Sequence, residues 1–136
     1  METHDRRSRE AVERFRGRLV KLTGDGVLAT FDGPGRAIRA ASALAEALRP
    51  EGIHIRAGIH VGEIELLGED VGGISVHIAA RVMTEAGSGE VLVSRTVKDL
   101  VAGSGFAFED RGVRELKGLP ESWQLFAVAP EANTRA

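Results

Sequence analysis

The chain has 136 residues, a formal net charge of −2 and no cysteine. Disulfides, thiol catalysis and cysteine-ligated zinc are therefore excluded, and charge gives no reason to expect nucleic acid or a membrane surface as partner. Aromatic residues are 4% of the sequence, too few for the stacking strands of an RNA-binding module. The length suits one domain with a real core. No segment has the apolar length of a membrane span and no apolar leader follows Met1, so the expected compartment is the cytoplasm.

Residues 5–17 are charged and helix-compatible, anchored by Ala11, Val12 and Phe15. Residues 18–31 read as a β-hairpin, with Leu19, Val20 and Leu22 leading in and Val27, Leu28 and Phe31 leading out. Asp25-Gly26 is the turn signal. A carboxylate at a rigid turn between glycines suits a hard cation such as Mg²⁺, although the same residues also serve a turn that binds nothing. Pro34 suits a helix start, and Ile38, Ala41, Ala45 and Leu48 then recur on one helical face before Pro50.

In 53–66, Ile53, Ile55, Ala57, Ile59 and Val61 alternate with His54, Arg56, Gly58, His60 and Gly62. This pattern predicts a strand with one face under helices and a polar, glycine-rich face left open. A loop over 67–73 leads to a helix near 74–85 whose expected buried stripe is Val76, Ala79, Ala80 and Met83. Strands are predicted at 90–93, 106–109 and 123–128, a short helix at 96–101, and a loose tail at 129–136. Together these predict an α+β domain over 1–128, a ferredoxin-like antiparallel sheet with helices on one face. The open face should seat a second copy about a two-fold axis. His60 is expected in that interface rather than as a ligand, and Trp123 in the core rather than stacked on a base.

Several blocks in order carry a resemblance. They are Phe15-Arg-Gly-Arg, Lys21-Leu-Thr-Gly-Asp25, Gly58-Ile-His-Val-Gly62, Asp70 with Val76-His-Ile-Ala-Ala-Arg81, and Glu115-Leu-Lys-Gly118. From about His4 to Val128 the chain resembles the catalytic domain of class III nucleotidyl cyclases, the adenylate and guanylate cyclase family. The resemblance implies attack of a ribose 3′-oxygen on the α-phosphorus of a nucleoside triphosphate, aided by two Mg²⁺ or Mn²⁺ ions. It assigns Asp25 as a metal ligand, and Lys21 and Asp70 as the pair that reads the purine edge. Arg81 becomes the group that stabilises the transition state, and Lys117 a triphosphate contact. A donating lysine beside an accepting aspartate suits adenine, so the implied substrate is ATP and the product cyclic AMP. Family members pair head to tail with sites between the subunits, which implies a homodimer or pairing with a complete cyclase domain.

Two departures accompany the resemblance. The resemblance also makes His77, one helical turn before Arg81, a catalytic-site residue, standing where the family usually has an asparagine that orients the ribose and the phosphorus centre. The family's first strand carries a Phe-x-Asp block with the other metal aspartate, and no such block precedes residue 18. The expectation is that the sequence begins inside the domain and that this chain alone is inactive. The alternative is a non-catalytic dimerisation or regulatory module.

Overall fold

A computed structural model describes residues 2–23 and 26–129. Asp25, the expected metal carboxylate, and tail residues 130–136 lie outside the described residues.

Helix α1 (Glu2–Arg14) buries His4, Ser8, Ala11 and Val12. These positions lie four, three and one apart and form one stripe. It ends with Gly17 N–H donating to the Val12 carbonyl at 2.8 Å and Arg16 at φ 61°. This is a six-to-one closure with arginine in the left-handed position where glycine is usual. Glycine follows it instead, because a Cβ on Gly17 would stand 2.6 Å from Cδ2 of Phe31.

Strands β1 (Arg18–Thr23) and β2 (Gly26–Thr30) form the expected hairpin. Thr23 pairs with Gly26, so Gly26 belongs to β2 rather than to the turn. Helix α2 (Pro34–Leu48) starts with Pro34 in its first turn, as predicted. It buries Ile38, Ala40, Ser42, Leu44, Ala45 and Leu48, a wider stripe than Ile38, Ala41, Ala45 and Leu48. The helix has two neighbours: Leu44 and Leu48 meet Ala11 of α1, whereas Ile38 enters the sheet core. A 3-10 turn at Arg49–Glu51 follows.

The predicted strand 53–66 is divided. Its Ala57–Ile59 section, β3, pairs in parallel with β6 (Val91–Ser94). Its end, β4 (Glu65–Leu67), pairs antiparallel with β5 (Asp70–Gly72) in a second hairpin, where the sequence suggested a loop. Helix α3 (Ile74–Thr84), helix α4 (Arg95–Leu100), β7 (Phe108–Glu115) and β8 (Ser122–Val128) complete the chain. The four-stranded sheet runs β3-β6-β8-β7, with β6–β8 and β8–β7 antiparallel. Ala129, assigned to the tail, donates its N–H to Ala107 O at 2.9 Å.

The α+β class holds, with two corrections inside it. The sheet is mixed, since β3 and β6 are parallel. Helices also flank both of its faces. Ile59, Val91, Val93 and Phe126 pack with Ile38 of α2 and Val97 of α4, whereas Leu92, Leu125 and Ala127 pack with Ile78 and Val82 of α3. The glycine-bearing side of β3 is therefore covered rather than open. A Cβ on Gly58 would stand 2.6 Å from the Ala79 carbonyl oxygen and 2.7 Å from Met83 Cα. Glycine marks close backbone approach here. Among the described residues, no helix is long and apolar enough to cross a membrane.

Candidate functional site

A bulge in β1 prepares the first half of the site. Leu19 pairs with Ala29 but Lys21 pairs with Leu28, so Val20 is an extra residue. In a regular strand, positions 18 and 21 would point to opposite faces; one extra residue returns them to the same side. Both then reach the turn between β4 and β5. Arg18 donates to the Glu69 carbonyl at 2.9 Å, and Lys21 Nζ donates to Asp70 Oδ2 at 2.9 Å. Asp70 Oδ1 also accepts the Val71 N–H at 2.7 Å. The Lys21 hydrogen bond first, and the Val71 N–H second, hold the Asp70 carboxyl below its ordinary range. Lys21 and Asp70 side chains are 49% and 44% exposed, so the pair faces solvent where a planar ligand can reach it.

The second half lies on α3 and the β7–β8 turn. The helix buries Ser75, Ile78 and Val82, while Ala80 and Met83 are exposed. The expected stripe of Val76, Ala79, Ala80 and Met83 is thus out of phase. Apolar residues stand at most α3 positions, and the close approach to Gly58 selects the face that turns inward. This rotation leaves His77 and Arg81 half-buried on a flank, four residues apart. Arg81 Nε is buried with no hydrogen-bond partner.

Lys117 is exposed on the turn after β7, which buried Leu116 anchors. Gly118, next to it, has φ 83°, and a Cβ there would stand 3.2 Å from His77 Nε2. A cavity of about 460 Å³ opens beside residues 115–122.

The structure thus joins Lys21 to Asp70, and His77 to the turn of Lys117. Among the described residues, no hydrogen bond or ion pair links the two halves. Nor do those residues contain a group of three or more histidines and acids that could hold a metal ion. The described residues do not by themselves fit a two-metal centre.

His60 was expected at an interface. Within the chain its Nδ1 lies 2.7 Å from Ser94 Oγ, and its ring meets Trp123 edge-on at 5.5 Å. It packs within the chain, and burial lowers its pKa from 6.5. Trp123 packs against the α3 side of the core, as expected. Sequence reasoning gave no individual role to Arg18, Ser94 or Gly118. The Gly68-Glu69 turn, with Gly68 at φ 67°, was the available signal for the hairpin that Arg18 holds.

Residues 36–129 match the family described as adenylate and guanylate cyclase catalytic domain. A protein of Rhizobium meliloti strain 1021, provisionally named adenylate cyclase 3, is 32% identical over 88% of this chain and 22% of its own length. An uncharacterised Mycobacterium tuberculosis protein, Rv2212, is 34% identical over 62% of this chain and 23% of its own length. The chain therefore spans under a quarter of the length of these relatives.

Among solved structures, an adenylate/guanylate cyclase/hydrolase from Silicibacter pomeroyi superposes with TM-score 0.78 at 30% identity, covering 90% of this chain and 78% of that one. The adenylyl cyclase CyaB from P. aeruginosa gives TM-score 0.78 at 20% identity, over 94% of this chain and 79% of that one, a likeness of fold. With the family match spanning more than half of its residues, the chain belongs to the adenylate and guanylate cyclase catalytic domain family.

Proposed function

We propose that this domain serves the conversion of ATP to 3′,5′-cyclic AMP and pyrophosphate. The Lys21–Asp70 pair carries the reading. An ammonium that donates and a carboxylate that accepts, held 2.9 Å apart, match the N1 acceptor and N6 amino donor of adenine. Guanine offers the reverse pattern at those positions, and a mismatched polar edge is costly to bury. Arg81, with its unpartnered Nε, supports the charge that develops as the 3′-oxygen attacks the α-phosphorus. Lys117 holds the triphosphate, and His77 stands beside it where the family usually has asparagine. Asp25 is the residue that the resemblance offers to Mg²⁺ or Mn²⁺; such an ion, when bound, acts as a Lewis acid at phosphate oxygens.

The two unlinked halves fit a site completed between two copies. An exposed apolar surface supports pairing: Leu66 is 71%, Leu67 58% and Ile74 61% exposed, beside Ile64. Patches of this kind mark association surfaces. The proposed assembly is a head-to-tail homodimer, or a pair with a complete cyclase domain, in the cytoplasm.

The test is nucleotide cyclisation with Mn²⁺-ATP and Mn²⁺-GTP, by the chain alone and mixed with a complete cyclase domain whose own base-reading lysine is replaced. Cyclic AMP from the mixture, with none from the chain alone, is the expected result. Cyclic GMP as main product overturns the base assignment. Association without product from either nucleotide supports the alternative, a regulatory pairing module.

A further inference from the structure

We propose that His77 is a polyphosphate-binding residue that works with Lys117, rather than a residue that orients the sugar. The inference rests on the cyclase reading and names which part of the nucleotide this side chain grips.

The tip of the imidazole lies over the turn after β7. A Cβ on Gly118 would stand 3.2 Å from Nε2 and 3.7 Å from Cε1 of His77. That proximity and the left-handed φ of 83° both call for glycine at position 118. The ring thus reaches from α3 to the peptide that follows Lys117, while its helix face also carries Arg81.

The chemistry of the groups around it decides between sugar and phosphate. A ribose hydroxyl both donates and accepts, so it is best met by a mixed set such as an amide. A phosphate oxygen takes donors alone. Lys117 and Arg81 are donors without acceptors, and Nε2 is a third when it carries the ring proton. Among the described residues, none of these three side chains has a hydrogen-bond or salt-bridge partner, and Arg81 Nε is buried without one. Among the described residues, exposed Arg36, Arg49 and Arg56 also lack acid partners, but they have water; Arg81 differs in having a buried Nε with no partner, on the helix face it shares with His77. A buried donor left unsatisfied, with further donors next to it, suits a polyanion.

The test uses inorganic tripolyphosphate as the probe, titrated into the chain by calorimetry, with the histidine Cε1–H resonances followed in parallel. His77→Asn should weaken binding about tenfold, the loss of one hydrogen bond to a charged group. Lys117→Ala should weaken it similarly, and the double variant by less than the product of the two. In the unaltered chain the His77 resonance should shift on titration while that of His54 stays still, a readout independent of whether the variant folds. Tripolyphosphate binding unchanged in His77→Asn, or an unmoved His77 resonance at saturation, overturns the proposal. Binding through His77 without cyclic nucleotide from the mixed assay keeps this inference and sinks the cyclase reading. Cyclic AMP synthesis with an unmoved His77 resonance sinks the inference alone.

Discussion

Gly58→Ala tests how α3 is seated. The added Cβ would meet backbone, not a flexible side chain: 2.6 Å from the Ala79 oxygen and 2.7 Å from Met83 Cα. Restoring ordinary contact requires α3 to retreat by roughly 1 Å in an interior packed as densely as a crystal. Overpacking of this kind costs about 1–3 kcal/mol, and a rigid helix backbone places the cost at the upper end. For a chain of 136 residues, that should lower Tm by about 10 °C. Gly33→Ala is the control, since nothing lies within 4 Å of its Cβ position and its φ of −152° suits any residue. Thermal unfolding followed by circular dichroism gives the comparison. Because α3 carries His77 and Arg81, the variant should also bind tripolyphosphate less well. Equal Tm values for the two alanine variants would refute the reasoning and return the glycine face of β3 to solvent.

Arg16→Gly should stabilise the chain by about 1 kcal/mol, because arginine at φ 61° carries left-handed strain that glycine lacks; unchanged urea midpoints would count against it. His60→Gln should flatten the acid limb of stability. Burial lowers the folded pKa of His60 below 6.5, so the folded state binds fewer protons, and stability is full above about 6.5 and falls as pH drops through that lowered value. Fluorescence of Trp123, the single tryptophan and in edge contact with His60, reports the transition. Asp70 works in the same direction at lower pH. Its folded pKa lies below 3.8, so the stability from its pair with Lys21 is present at neutral pH and lost as pH falls through the folded value. Asp70→Asn should remove that dependence and, in the mixed assay, narrow the preference for ATP over GTP.

The α2 helix and the first hairpin were legible because their signals are local: Pro34 at a helix start, apolar recurrence, and glycines around a turn. The bulge at Val20 was not, because a strand pattern does not say where a partner strand slips by one residue. Gly58 and Gly62 were read as an open polar face, since a two-residue period separates faces without saying what covers them. In the structure both mark contact with α3, against Ala79 and Met83 in one case and Ser75 in the other. The phase of α3 failed for a related reason. A helix with apolar residues at most positions has no unique stripe, and its neighbour chooses one. Lys21 and Asp70, far apart in sequence, came from the resemblance, and their 2.9 Å bond is a product of tertiary structure.

The two hairpins that hold the base-reading pair belong to separate two-stranded sheets, outside the four-stranded one. Such ribbons are marginal by themselves. Every residue of β4 is exposed, Val71 is the buried anchor of β5, and the ties to β1 are the Arg18–Glu69 and Lys21–Asp70 bonds. This gives the domain two levels of cooperativity. The sheet and its helices melt together, whereas the β4–β5 ribbon is held by the burial of Val71 and by two charge-bearing bonds, and the share those bonds contribute falls as dissolved salt screens them. Ionic strength can therefore loosen recognition of the base while global unfolding stays where it was, and the amides of residues 65–72 are where exchange with solvent should register that release first.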